Sequence, residues 1–131
     1  MIGLDTNVLV RYIAQDDAKQ FAKASKLIES LTPSAPGFIA MVSIVELVWV
    51  LQSSYDSAKS EIIVVLETLL RTRELTVENS EIVWQALRRY SQANADFADC
   101  LIERSASAAG CEHTVTFDAK AAKTAGMQRL N

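Results

Sequence analysis

The sequence predicts an α/β fold of three layers, a central parallel sheet of about four to five short strands flanked by helices. Two observations lead there. Short apolar or β-branched runs recur along the chain, and between them lie segments whose apolar residues return every three or four positions. Strands separated by helices imply parallel pairing, right-handed crossovers and helices on both sheet faces. The chain has 131 residues, 50% hydrophobic and 22% charged. That fits a single domain over 1–131, able to bury roughly two thirds of its unfolded surface.

Taken in order, Ile2 to Leu4 reads as a minimal buried strand and Thr6 to Ala14 as a helix with Val8, Leu9, Tyr12 and Ile13 on one side, the chain turning at Asp5. A second helix is expected after Asp16 or Asp17, carrying Phe21, Ala24, Ile28 and Leu31 and ending before Pro33. LTPSAPG is a loop, leading to a strand around Phe38 to Met41. Ser43 suits a helix N-cap, and the apolar IVELVWVLQSSY that follows is a central helix or one covered by another chain. Ser57 opens a helix through about Arg71 with Ile62, Leu66, Leu69 and Leu70 inward, and Leu75 to Val77 is a strand. Asn79 or Ser80 caps the next helix, with Ile82, Ala86, Leu87 and Tyr90 inward. ADFADCLIERSASAAG starts with acids and stops at Gly110, both helix signals at the correct ends. CEHTVTFD supplies a strand running into Asp118 and a short helix.

No apolar run approaches the ~18 residues of a membrane helix, and the start lacks the order of a signal peptide, which places the chain in the cytoplasm. Cys100 and Cys111 are therefore expected as small buried hydrophobes and not as a disulfide. A net charge of −3 argues against a general electrostatic sponge for nucleic acid but leaves nucleic acid open as a substrate.

Ligands of an open parallel sheet sit beyond the carboxyl ends of its strands. Asp5 and Asp118 each follow a strand, Glu46 lies one turn into the helix after the second strand, and Asp99 lies in the first turn of the helix before the last. Asp96, three residues from Asp99, adds a cap or a further ligand. Such a set of carboxylates raises at least one pKa unless a cation compensates it. Mg²⁺ or Mn²⁺ suits oxygen ligands without His or Cys, and supports hydrolysis of a phosphodiester by activated water. Thr6, Asn7, Ser43 and Thr116 stand beside the acids, placed to hydrogen-bond them or their waters. Each acid also has a plainer reading: Asp5, Asp96 and Asp118 as helix caps, Ser43 with Glu46 as a capping box. The joint pattern favours the cluster, Glu46 being set among Ile44, Val45, Leu47 and Val48, where an unliganded carboxylate is expensive.

His113 is the only histidine, so a triad or two-His metal site lacks material. No phosphate-cradling glycine motif occurs. Trp49 and Trp84 fall on helical stripes and are expected to pack. Arg11, Lys120 and Lys123 lie close to Asp5 and Asp118 in sequence and are candidates for contact with RNA or a partner.

GLDTNVLVRY, the isolated Glu of SIVELVWVL, ADFADCLI and TVTFD, in that order across nearly the whole chain, resemble the PIN-domain ribonucleases, most closely the VapC-type toxins of toxin-antitoxin pairs. The resemblance implies a PIN-like fold, metal-binding catalytic acids at Asp5, Glu46, Asp99 and Asp118 with Asp96 auxiliary, and Thr116 as the family's hydroxyl residue. It also implies Mg²⁺- or Mn²⁺-dependent cleavage of RNA, commonly structured RNA of the translation apparatus, homodimerisation, and neutralisation by a small DNA-binding antitoxin. Two rivals stand beside it. A haloacid-dehalogenase-like phosphatase also starts with a strand ending in Asp, but needs an acid where this chain has Asn7. A non-catalytic PIN-like binding module would keep the fold and lose the reaction.

Overall fold

The computed structural model describes every residue from Met1 to Asn131. The chain divides into two compact units, Met1–Glu78 and Asn79–Asn131.

In the first unit, strands β1 (Ile2–Gly3), β2 (Gly37–Ile39) and β3 (Leu75–Val77) form a parallel sheet in the order β1-β2-β3. Four helices connect them: α1 (Thr6–Ala14), α2 (Ala18–Glu29), α3 (Met41–Ser53) and α4 (Lys59–Arg71). Leu9, Ile39, Ile44, Leu47, Ile62 and Leu66 are almost fully buried. Gly37 leaves room for this packing, since a Cβ there would lie 2.8 Å from Leu4 Cδ1 and 2.9 Å from Leu31 Cδ1.

The first two helices start where the sequence signals put them. Asp5 accepts from the Thr6 N–H at 2.8 Å, and Asp17 caps α2 through the Gln20 N–H at 3.0 Å. Helix α3 departs from expectation. It begins at Met41 with Ala40 as N-cap, so Ser43 lies inside the first turn, buried, and the strand stops at Ile39. The capping acceptor comes from the end of β3, where Glu78 Oε1 receives the Met41 N–H at 2.8 Å. The Ser43–Glu46 capping box does not form. Helix α4, by contrast, starts two residues later than expected, with Glu61 accepting the Ala58 N–H at 2.8 Å. Trp49, expected to pack, is 66% exposed, because Val42, Glu46 and Trp49 share the outward stripe of α3.

The second unit contains α5 (Ser80–Gln92), α6 (Phe97–Ala108), β4 (Val115–Thr116), α7 (Ala119–Thr124) and β5 (Gln128–Arg129). The strands β4 and β5 pair in parallel as a second sheet, and β5 had no signal in the sequence. The α/β class and parallel pairing hold, but the hydrogen-bonded strands divide three and two. Helix α5 turns Val83 inward, fully buried, in place of Ile82, together with Ala86, Leu87 and Tyr90. Tyr90 meets Phe97 of α6 edge to face at 5.7 Å. Gly110 follows α6 with φ at +98°, a left-handed backbone that glycine adopts without strain. Cys100 is buried and Cys111 exposed, and neither forms a disulfide, so only Cys100 is the small buried hydrophobe expected.

Candidate active site

The acids of the first unit stand where α1 packs on α3. Asp5 follows the buried Leu4 and starts α1; Thr6, buried beside it, donates its hydroxyl to Glu46 Oε1 at 2.7 Å. This bond links two residues 40 positions apart and gives Glu46 its partner. Neither acid is buried: both are exposed, and Ile2 and Gly3 before Asp5 are exposed as well. Where the sequence predicts a buried strand and buried carboxylates, the structure has both at the surface. β1 is hydrogen-bonded to a strand on one side alone, and Glu46 lies on the outward stripe of α3, so neither charge needs a buried compensating group.

Asp5, Thr6, Asn7 and Glu46 line a cavity of ≈ 460 Å³ together with Val10, Arg11, Val50, Ser54 and Tyr55. Sequence reading missed Tyr55. Its hydroxyl donates to Asp16 Oδ2 at 2.8 Å, while Arg11 Nη1 pairs with Asp16 Oδ1 at 3.2 Å. The Tyr55 hydroxyl is the first cause, and Arg11 a lesser one, that holds the Asp16 carboxyl below its ordinary range. Thirty-nine residues separate Tyr55 from Asp16, and no local spacing announces such a contact.

In the second unit, Asp96 caps α6 through the Asp99 N–H at 3.3 Å, and Asp118 caps α7 through the Lys120 N–H at 2.9 Å. Thr116 Oγ1 accepts the Asp118 N–H at 3.0 Å, shaping the turn that presents Asp118 while leaving its carboxylate alone. Burial pushes the Asp99 carboxyl up, and the charges of Asp96 and Asp118 push it further, with Lys120 opposing them. Three of the five expected acids are thus caps after all, but each cap uses Oδ1, and Glu46 likewise uses one oxygen. The second carboxylate oxygen of each remains for a ligand.

Among the remaining candidates, Asn7 lines the cavity, whereas Ser43 is buried in α3 and bonds no acid. Lys120 is coupled electrostatically to Asp99, and Lys123 sits exposed in the last turn of α7. In each unit the candidate donors are carboxylate and hydroxyl oxygens, the chemistry a hard divalent cation takes, and in the second unit the carboxylates that push the Asp99 carboxyl up are charge of the kind such a cation relieves. The side chains do not form a finished cage: no three His, Cys, Asp or Glu stand in metal-holding geometry.

A family model for the PIN domain matches residues 2–127. The chain belongs to the PIN domain family. This PIN domain is also similar to a protein from Aquifex aeolicus (strain VF5) described as a VapC ribonuclease, with 29% identity over 115 residues, covering 87% of this chain and 84% of that protein. Membership displaces the haloacid-dehalogenase reading. No helix is long and apolar enough to cross a membrane.

Proposed function

We propose that this PIN domain is an endoribonuclease of VapC type, acting as the toxin of a toxin-antitoxin pair and hydrolysing phosphodiester bonds with a divalent cation. The single observation that carries the reading is the open cavity in which Asp5 and Glu46 stand together, cross-tied by Thr6. The similarity to the Aquifex protein supports the choice of RNA. The family match runs through both units, which supports reading 1–131 as one domain whose acids serve one reaction.

Asp5, Glu46, Asp99 and Asp118, with Asp96 auxiliary, would hold Mg²⁺ or Mn²⁺ through their carboxylate oxygens. When bound, the cation supplies positive charge at the scissile phosphate and polarises the attacking water. The chain's own residues do the rest. Thr6 fixes the Glu46 carboxylate, Thr116 sets the turn that carries Asp118, and an ionised carboxylate accepts the water's proton as the new P–O bond forms, while the leaving oxygen takes up a proton from solvent as the old P–O bond breaks. Structured RNA of the translation apparatus is the proposed substrate. A small DNA-binding antitoxin and a second copy of the chain are the proposed partners, and the cytoplasm the proposed compartment.

The rival reading, a non-catalytic PIN-like binding module, draws on the lack of three ligands in metal-holding geometry. One experiment separates the two: incubation of pooled cellular RNA with the purified chain in Mg²⁺ or Mn²⁺, in EDTA, and beside Asp5→Asn. Cutting at discrete sites that needs the cation and Asp5 is expected. An intact RNA pool in every lane would favour the binding module.

A further inference from the structure

The cavity that holds Asp5 and Glu46 does not end at the acids. Asn7 and Arg11, on α1, line it and also line a second cavity of ≈ 400 Å³ between α1 and α2, walled by Val8, Gln20, Lys23, Ala24 and Leu27. Arg11 is therefore the ridge shared by both, with acids on one side of it and a lysine on the other. We infer that a single RNA strand leaves the acids across Arg11, which binds the first phosphate, and continues along the α1–α2 cleft, where Lys23 meets the next. The inference rests on the nuclease reading above and adds the direction of the strand and the residues that hold it.

Three features support this path. Arg11 is oriented before any ligand arrives: Asp16 takes one N–H of Nη1, and Tyr55 holds Asp16 from the other side. The guanidinium has five N–H donors in a fixed fork, so most stay available to phosphate oxygens. Of the three lysines on α2, only Lys23 lines the cleft; Lys19 and Lys26 are exposed elsewhere on the helix. Finally, Val8, Ala24 and Leu27 give the cleft an apolar side against which an unpaired base or ribose can lie. Tyr55 and Asp16 are positioning residues that act through Arg11.

The test is equilibrium binding of a short mixed-sequence single-stranded RNA to the full chain in EDTA, titrated over a range of salt. Each phosphate contact to a single strand contributes about 0.7 to the slope of log affinity against log salt. Arg11→Gln and Lys23→Gln are each expected to lower the slope by about that amount, while Lys19→Gln and Lys26→Gln leave it at the wild-type value. Arg11→Lys should keep the slope, which separates loss of charge from misfolding, and Tyr55→Phe should weaken binding at an unchanged slope. Unchanged slopes in Arg11→Gln and Lys23→Gln, with wild type still cutting RNA, would overturn the path alone and point to a protein segment as occupant of the cleft. Equal losses from all four glutamine variants would overturn it in favour of diffuse attraction. A wild-type chain that neither binds nor cuts RNA would remove both the path and the nuclease.

Discussion

Asp99 carries an electrostatic cost that the fold tolerates. Its carboxyl is pushed up from an ordinary 3.8 by desolvation and then by Asp96 and Asp118, so the folded chain holds that proton to higher pH than the unfolded chain. Charging it costs stability: the cost is absent below 3.8 and grows as pH rises through the folded value. Asp99→Asn should therefore stabilise the fold and raise the melting temperature at neutral pH, the gain in free energy staying below about 1 kcal/mol because solvent screens the site. The advantage should vanish in acid, and melting curves across pH check both limbs. Thr6 is the opposite case, a buried hydroxyl whose bond to Glu46 spans α1 and α3. Thr6→Val should lose about 1 kcal/mol, the net worth of an ordinary hydrogen bond, because solvent reaches the Glu46 carboxylate, and Thr6→Ser should retain most of it. Urea midpoints would distinguish them.

At the level of elements, α3 shows how a local signal is overruled. Ser43 has the composition of an N-cap, but the Met41 N–H finds Glu78 at the end of β3, and the helix starts earlier, with Ser43 buried in its first turn. A cap delivered across 37 residues ties helix to sheet as well as closing an open N–H. Glu78→Ala should cost about 1 kcal/mol, as loss of a cap does, and Glu78→Gln, which still accepts, much less. Equal denaturation midpoints for Glu78→Ala and wild type would show the cap to be idle. The last strand is less legible than the others: β4 was announced by its β-branched residues, but β5 is the two polar residues Gln128–Arg129 and carries no alternation to read. Helix α5 illustrates a smaller error. The apolar stripe is visible in the sequence, but which of the adjacent Ile82 and Val83 faces inward is settled only by the packing of α5 against α6.

For the whole molecule, the carboxylates make a prediction about linkage. A native state that holds a divalent cation must be stabilised by it, by about 2.7 kcal/mol when the free cation is a hundredfold above its dissociation constant. Mg²⁺ or Mn²⁺ should raise the melting temperature by several degrees, and the shift should disappear in Asp5→Asn. No shift at saturating cation, with the fold intact, would argue for the binding module. The candidate acids themselves were all legible, since each stands at a helix start or as a lone charge in an apolar run. Their surroundings were not, and the pairing of Tyr55 with Asp16 could not be read because a hydroxyl–carboxylate bond across 39 residues leaves no trace in local spacing.

The sequence by itself determined the alternation of helices and parallel strands, the acids and the PIN resemblance, because helix periodicity and capping signals act over a few residues and the motifs lie in order along the chain. Only the tertiary structure decided that Asp5 and Glu46 are exposed, that Thr6 ties Glu46 to α1, and that Arg11 is shared by two cavities. These depend on how α1 meets α2 and α3, a packing choice made by side chains far apart in the chain.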